Sequence, residues 1–273
     1  MSPTAIPGNL ILRNTYVAPP LLAYYPGAAA AYSLRNLTEN NISVVRVRRD
    51  NDNSEADFTA TEVSNGTLAA WVGAGNNGFV RTWYDQSGNS KNAEQSNTSK
   101  QPKLIESGAI ASRSGLDGCL FNGSTTNLVA TFNTTSAHYF SGVYVSEGNS
   151  VSSLARNNSF SGLGYLYTHN YGYRGSTSGS NAILLYNAPE SSKILISAGS
   201  AGSGLFLAAN GSVVNTNAAF TVAPSTANMQ IGSYNTAEFL DGVISELLFY
   251  NSDQSTNRTA IESNINDHYS IYP

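Results

Sequence analysis

The chain has 273 residues, of which 12% are charged, and a formal net charge of −4 at pH 7. That length can enclose one large all-β domain, and a polar complement of Ser, Thr, Asn and Gly favours strands and turns over long helices. The small negative charge gives no footing for nucleic acid, the lone Cys119 excludes an intramolecular disulfide, and no stretch reaches the roughly 20 apolar residues that span a bilayer.

Residues 1–27 hold five of the nine prolines, spaced so that neither a helix nor a central strand can run through. The segment is nevertheless apolar, with Leu10, Ile11, Leu12, Tyr16, Leu21 and Leu22. It is expected to be an extended anchoring arm whose partner surface is either its own domain or another subunit. Its start lacks the basic residues and continuous apolar run of a secretory signal, so synthesis in a cytoplasm is expected. "GAAAAYSLRNL" reads as a short helix over Ala28–Leu37. From Ile42 onward, short strand-like runs alternate with turn signals, the pattern of a sandwich or barrel. In "ISVVRVRR" the arginines Arg46, Arg48 and Arg49 read as a strand's polar face. Asn210-Gly211 is a hairpin signal. Ser255 can cap a closing helix with Ile261, Ile265 and Tyr269 on one face. With no composition break after residue 28, the expectation is one domain, 28–273, preceded by the arm, 1–27.

Most motif-like stretches lack the spacing their chemistry requires. Gly73, Gly75 and Gly78 match a dinucleotide fingerprint in letters, but a strand, not a helix, follows. Asp50, Asp52 and Ser54 open like a calcium loop whose turn glycine and twelfth ligand are missing, which leaves room for weak Ca²⁺ binding only. His138, His169 and His268 have no metal-site spacing, so no cofactor and no metal centre are expected. Glycosidic chemistry needs two facing carboxyl groups. The acids available are Asp85, Glu94, Glu147, Glu190, Glu238, Asp241 and Glu246, and spacing alone pairs none of them.

Two stretches stand out. In "FVRTWYDQSGNSKNAEQ", Trp83, Tyr84, Asp85 and Gln86 form either the mouth of a sugar site or a structural corner, since a short acid at a tight turn can accept backbone N–H bonds. In "GYLYTHNYGYRG", Tyr165, Tyr167, Tyr171 and Tyr173 fall at even spacing with His169 and Arg174 beside them. That row suits a glycan-stacking platform, a protein contact or packing inside a sandwich.

The opening and closing stretches, "AYSLRNL…VVRVRRDNDNSEADF…FVRTWYDQSGNSKNAEQ" and "FLDGVISELLFYNSDQSTNRTAIESNINDHYSIY", resemble concanavalin A-like (LamG-type) jelly-roll modules, many of which occur in phage virion proteins. The Tyr-Asp-Gln-Ser-Gly-Asn run is also similar to the catalytic domain of family 54 α-L-arabinofuranosidases. The resemblance implies an all-β concanavalin A-like jelly roll with an extended N-terminal arm and a short C-terminal helix. It does not carry the enzyme's acids over: Tyr234 in "IGSYNTAE" stands where the general acid belongs, and the strands around "GLGYLYTHNYG" hold no Glu. The expectation is therefore a non-catalytic bacteriophage virion protein, a head decoration, fibre or tail adsorption protein. Its arm would bind other virion proteins, and it would contact host surface glycans and self-associate, for instance as trimers. The alternatives are a bacterial carbohydrate-binding module and, behind it, a divergent glycoside hydrolase.

Overall fold

A computed structural model describes residues 20–131, 133–147, 152–157, 171–177, 180–186, 189–201, 204–218, 220, 224, 228–234 and 237–273. Strands form where apolar residues alternate. Ser43–Arg49 buries Val44, Val45 and Val47 and leaves Arg46 and Arg49 partly exposed. Arg48 departs from the expected polar face. It is buried, its guanidinium lies over the Phe79 ring, and its Nε donates to Gln101 Oε1 at 2.8 Å. The Asn210-Gly211 hairpin is present: φ is 47° and 84° at the two residues, and they join Leu205–Ala209 to Ser212–Asn217. This is the twist that tight hairpins need.

The main sheet is one antiparallel path. It runs from Ala155–Asn157 through Met229–Ile231, Leu128–Ala130, Ala93–Glu94, Gly78–Trp83, Lys103–Glu106 and Cys119–Asn122 to Asp241–Tyr250. It continues through Ala137–Ser146, Ile194–Ala201 and Leu205–Ala209 to Ser212–Asn217. Folded over, the path brings Val80, Trp83 and Ile231 of one half against Phe140, Ile196 and Leu247 of the other in a shared core. The architecture is an all-β jelly-roll sandwich.

Asp241–Tyr250 is the central strand. One edge pairs with Ala137–Ser146, the other with Cys119–Asn122 and then Ala28–Ser33. Ile244, Leu247 and Phe249 face the inter-sheet core, while Val243, Leu248 and Tyr250 face a second cluster under the C-terminal helix Arg258–Tyr269. Burial on both faces explains why "VISELLFY" is apolar almost throughout instead of alternating.

Three expectations are corrected. Ala28–Leu37 is not a helix, because Ala28–Ser33 pairs with the last strand, Ala31 opposite Leu248 and Ser33 opposite Glu246. The pairing uses alanine for its size: Ala30 and Ala31 are fully buried between layers. The end of the arm belongs to its own domain: Leu21–Tyr24 makes one helical turn between Pro20 and Pro26, and Leu21 and Leu22 are buried in the second cluster. Leu10, Ile11, Leu12 and Tyr16 lie outside the described residues. The closing helix starts after Ser255, at Arg258, with Asn257 at its N-cap position; Ser255 belongs to the preceding turn, where its N–H donates to Asp253 Oδ1 at 2.8 Å. Ile261 and Ile265 nevertheless fill the second cluster as spaced, with Tyr269 packed against it. Asp241, one of the acids available to glycosidic chemistry, opens the central strand.

If Leu21 is core and not arm, Leu21→Ala destabilises the full chain by about 2–5 kcal/mol in chemical denaturation. An unchanged midpoint would return this residue to the arm.

Candidate functional site

The Trp83–Gln86 stretch leaves the strand Gly78–Trp83 and turns. Trp83 is fully buried, its ring 5.8 Å from that of Tyr32. Tyr84 faces outward, where its hydroxyl donates to Asp57 Oδ1 at 2.8 Å. Asp85 accepts from Ala31 N–H at 2.9 Å, from the N–H and hydroxyl of Ser87, each at 2.8 Å, and from Lys91 N–H at 2.9 Å. Gln86 donates through Nε2 to the Ser33 and Arg35 carbonyls, both at 3.0 Å, and accepts from Leu37 N–H at 2.8 Å. Every one of these partners except the Ser87 hydroxyl is backbone. The two side chains thus sew the segment 28–37 onto the turn, with their polar atoms directed at the chain itself.

Glu246 lies on the central strand and is 1% exposed. Its direction is set by a bulge: Val143 pairs with Glu246 and Tyr144 with Ile244, leaving Ser245 as the extra residue. The inserted residue turns Glu246 away from the inter-sheet core. There Arg35 grips it through Nε to Oε2 at 2.7 Å and Nη2 to Oε1 at 2.9 Å. Ser33 Oγ donates to Oε2 at 2.8 Å and the Tyr269 hydroxyl at 3.2 Å. Burial, with the Glu246 charge beside it, holds the Tyr269 hydroxyl well above its usual range, so it remains a donor. Asn264 Oδ1 orients Arg35 from the closing helix at 3.0 Å.

A third cluster sits at the loop that the resemblance aligns with an enzyme's acid. Tyr234 forms a β-bridge with Ala237, and its ring lies beneath the Arg156 guanidinium, 3.1 Å from the centroid. Arg156 is 2% exposed and donates to Glu238 Oε2 at 2.9 Å, an oxygen that also accepts from Ser153 Oγ at 2.7 Å. Burial pulls the Arg156 guanidinium below its usual range, against the opposing pull of Tyr234 and Glu238.

The remaining sequence candidates fall as follows. Tyr165, Tyr167 and His169 lie outside the described residues. Tyr171–Thr177 is a strand paired with Ser180–Tyr186, Tyr171 opposite Tyr186, Tyr173 opposite Leu184 and Arg174 opposite Ile183. The acids of the calcium-like turn are engaged: Asp50 accepts from the backbone and side-chain N–H of Asn77, and Asp52 pairs with Arg49. Glu94 stands 3.9 Å from Arg81 and Glu147 3.0 Å from Arg113. Among the described residues no three His, Cys, Asp or Glu side chains converge on a metal position. Sequence reading missed Arg35 and Arg156. Nothing local marks either one, because their partners lie 211 and 82 residues away.

Comparison with known proteins places this geometry on a shared scaffold. No protein-family model matches the chain, and no curated protein does. Solved structures do match. A family 54 α-L-arabinofuranosidase complexed with arabinofuranosyl-α-1,2-xylobiose superposes with a TM-score of 0.61 at 16% identity, over 87% of this chain and 62% of that one. The same enzyme type soaked with a cyclic sulfate inhibitor gives 0.61 at 15% identity. The binding domain of Paraclostridial Mosquitocidal Protein 1 gives 0.52 at 14%, over 68% of this chain and 49% of that one. The chain therefore shares their sandwich fold, and it spans less than two thirds of the arabinofuranosidases' length.

Two outcomes are expected from the corner and the core. Asp85→Asn replaces an acceptor oxygen by a donor facing N–H groups and should cost about 2–4 kcal/mol in denaturant melts. A cost below about 1 kcal/mol would mean the corner is dispensable. His138 is buried, and desolvation holds its imidazole below the usual value despite a 2.9 Å contact between Nδ1 and the Thr135 carbonyl. The unfolded chain takes up a proton near pH 6.5 that the folded chain refuses. Stability tied to His138 is thus complete above that pH and is lost as pH falls through the folded value, by up to about 1.4 kcal/mol per unit. Wild type should lose more stability between pH 7.5 and 5.5 than His138→Gln does, and parallel curves would refute the assignment.

Proposed function

We propose that this chain is a non-catalytic jelly-roll protein of a bacteriophage particle, a head decoration, fibre or tail adsorption protein, that contacts host surface glycans. The observation that carries the non-catalytic part is the engagement of Glu246, the carboxylate on the central strand. Both of its oxygens are held by Arg35, with Ser33 and Tyr269 added, on the face turned away from the inter-sheet core. A nucleophile needs an oxygen free to meet an anomeric carbon, and both oxygens of this carboxylate are already engaged by a guanidinium, with two hydroxyls added. Asp85 and Glu238 are engaged in the same manner, by backbone N–H groups and by Arg156. A fold shared with an enzyme carries no activity with it, and a domain described as a binding domain uses the same sandwich.

The particle anchor is assigned to residues 1–19, with Leu10, Ile11, Leu12 and Tyr16 as its apolar contacts, since Leu21 and Leu22 serve the domain's own core. In a particle-association assay the full chain should co-sediment with phage particles, while a chain lacking residues 1–19 stays in solution and still folds. Neither protein should release nitrophenol from 4-nitrophenyl α-L-arabinofuranoside. Equal sedimentation of the two chains would remove the anchor, turnover would remove the non-catalytic reading, and glycan binding without particle binding would favour a bacterial carbohydrate-binding module.

A further inference from the structure

Behind the sandwich, between the helix Ala60–Ser64 and the end of the C-terminal helix, lies a cleft of about 370 Å³. It is separate from the corner and from the Tyr171–Thr177 strand. Its lining combines the apolar side chains of Leu34, Val63 and Ile110 with the polar groups of Arg35, Asn36, Asp117 and His268 and the Tyr269 ring. We propose that this cleft binds a single neutral sugar residue, the apolar side chains taking a C–H face of the ring and Arg35 and Asp117 taking its hydroxyls.

The chemistry of the lining selects that class. A guanidinium carries five N–H groups. Glu246 and Asn264 take one from each of the three Arg35 nitrogens, and the side chain remains 14% exposed. Arg35 is therefore a hydrogen-bond donor whose charge is already cancelled by Glu246. Asp117 is exposed and supplies acceptor oxygens. Together they offer donors and acceptors without a surplus of positive charge, which disfavours phosphate, sulfate and sialic acid. A purely apolar ligand would strip water from the polar rim without replacing its hydrogen bonds. A hydroxylated ring with one apolar face satisfies both halves, and the volume is near the lower end for small-molecule sites.

The walls are also pre-set. Arg35 is fixed from the central strand and the closing helix at once. The short helix is held by a reciprocal capping box between Thr59 and Glu62, and the His268 ring stands edge-on to Tyr269 at 4.6 Å. Little ordering is left for the ligand to impose.

This inference rests on the glycan-contact part of the proposed function and is independent of the virion part. The test uses the full chain. A glycan array comes first, followed by calorimetric titration with methyl glycosides of neutral hexoses and pentoses, and with a methyl sialoside as the anionic control. Ser64→Trp places an indole at the lining, and Asp117→Asn removes the acceptor charge. Both positions are exposed, so thermal midpoints should match wild type. The expected result is binding of a neutral glycoside that Ser64→Trp abolishes and Asp117→Asn weakens by about tenfold, the loss of one hydrogen bond to a charged group. Undiminished binding by both variants would overturn the cleft while glycan contact stands. Preference for the sialoside would overturn the ligand class. An array with no hits would remove glycan contact and the cleft together.

Discussion

A carboxylate buried on the middle strand of a sheet has to be neutralised, and most of this structure is arranged around that need. Leaving Glu246 unpaired would cost several kcal/mol, and the groups that answer it come from distant parts of the chain. Ser33 ends the first strand and Arg35 follows it, and Asn264 and Tyr269 project from the closing helix. One ionised group therefore ties the beginning of the domain to its end. The Ser245 bulge makes this possible, because without the extra residue Glu246 would share the face of Ile244 in the apolar core.

The corner depends on the same tie. Gln86 holds the carbonyls of Ser33 and Arg35, and Asp85 holds Ala31 N–H, so the segment that delivers Arg35 is fixed by two side chains of a turn about 50 residues later. Nearly all of their hydrogen-bonding capacity is directed at backbone, and their value is geometric. They set where Arg35 emerges, and Arg35 in turn closes one side of the cleft beneath the C-terminal helix.

A second polar network lies on the same outer face. Tyr139 donates to Ser197 at 3.0 Å, Ser197 to Ser141 at 3.2 Å, and Glu262 of the closing helix pairs with Arg258 at 2.5 Å. Burial raises the Glu262 carboxyl against the pull of Arg258. The pair lies within the helix, which is tied to the sheet by Ile261 and Ile265 in the second cluster and by Arg258 Nη1 donating to the Gly211 carbonyl at 3.3 Å. That arrangement fixes its position as well as its burial, and it is what keeps Asn264, His268 and Tyr269 in place.

Local chemistry determined much of this from sequence. Alternation located the strand Ser43–Arg49, Asn210-Gly211 specified a hairpin, the spacing of Ile261 and Ile265 gave a helix face, and a short acid at a turn indicated what Asp85 does. These features depend on neighbours a few residues away. Tertiary structure decided the rest. Ala28–Ser33 is a strand despite its helix-forming alanines, since pairing with Glu246–Tyr250 and close layer packing outweigh a propensity of tenths of a kcal/mol per residue. Leu21 and Leu22 look like arm residues until the cluster they enter exists. Arg35 reads as an ordinary surface arginine because the charge that claims it stands 211 residues further along the chain, a separation that no local pattern can encode.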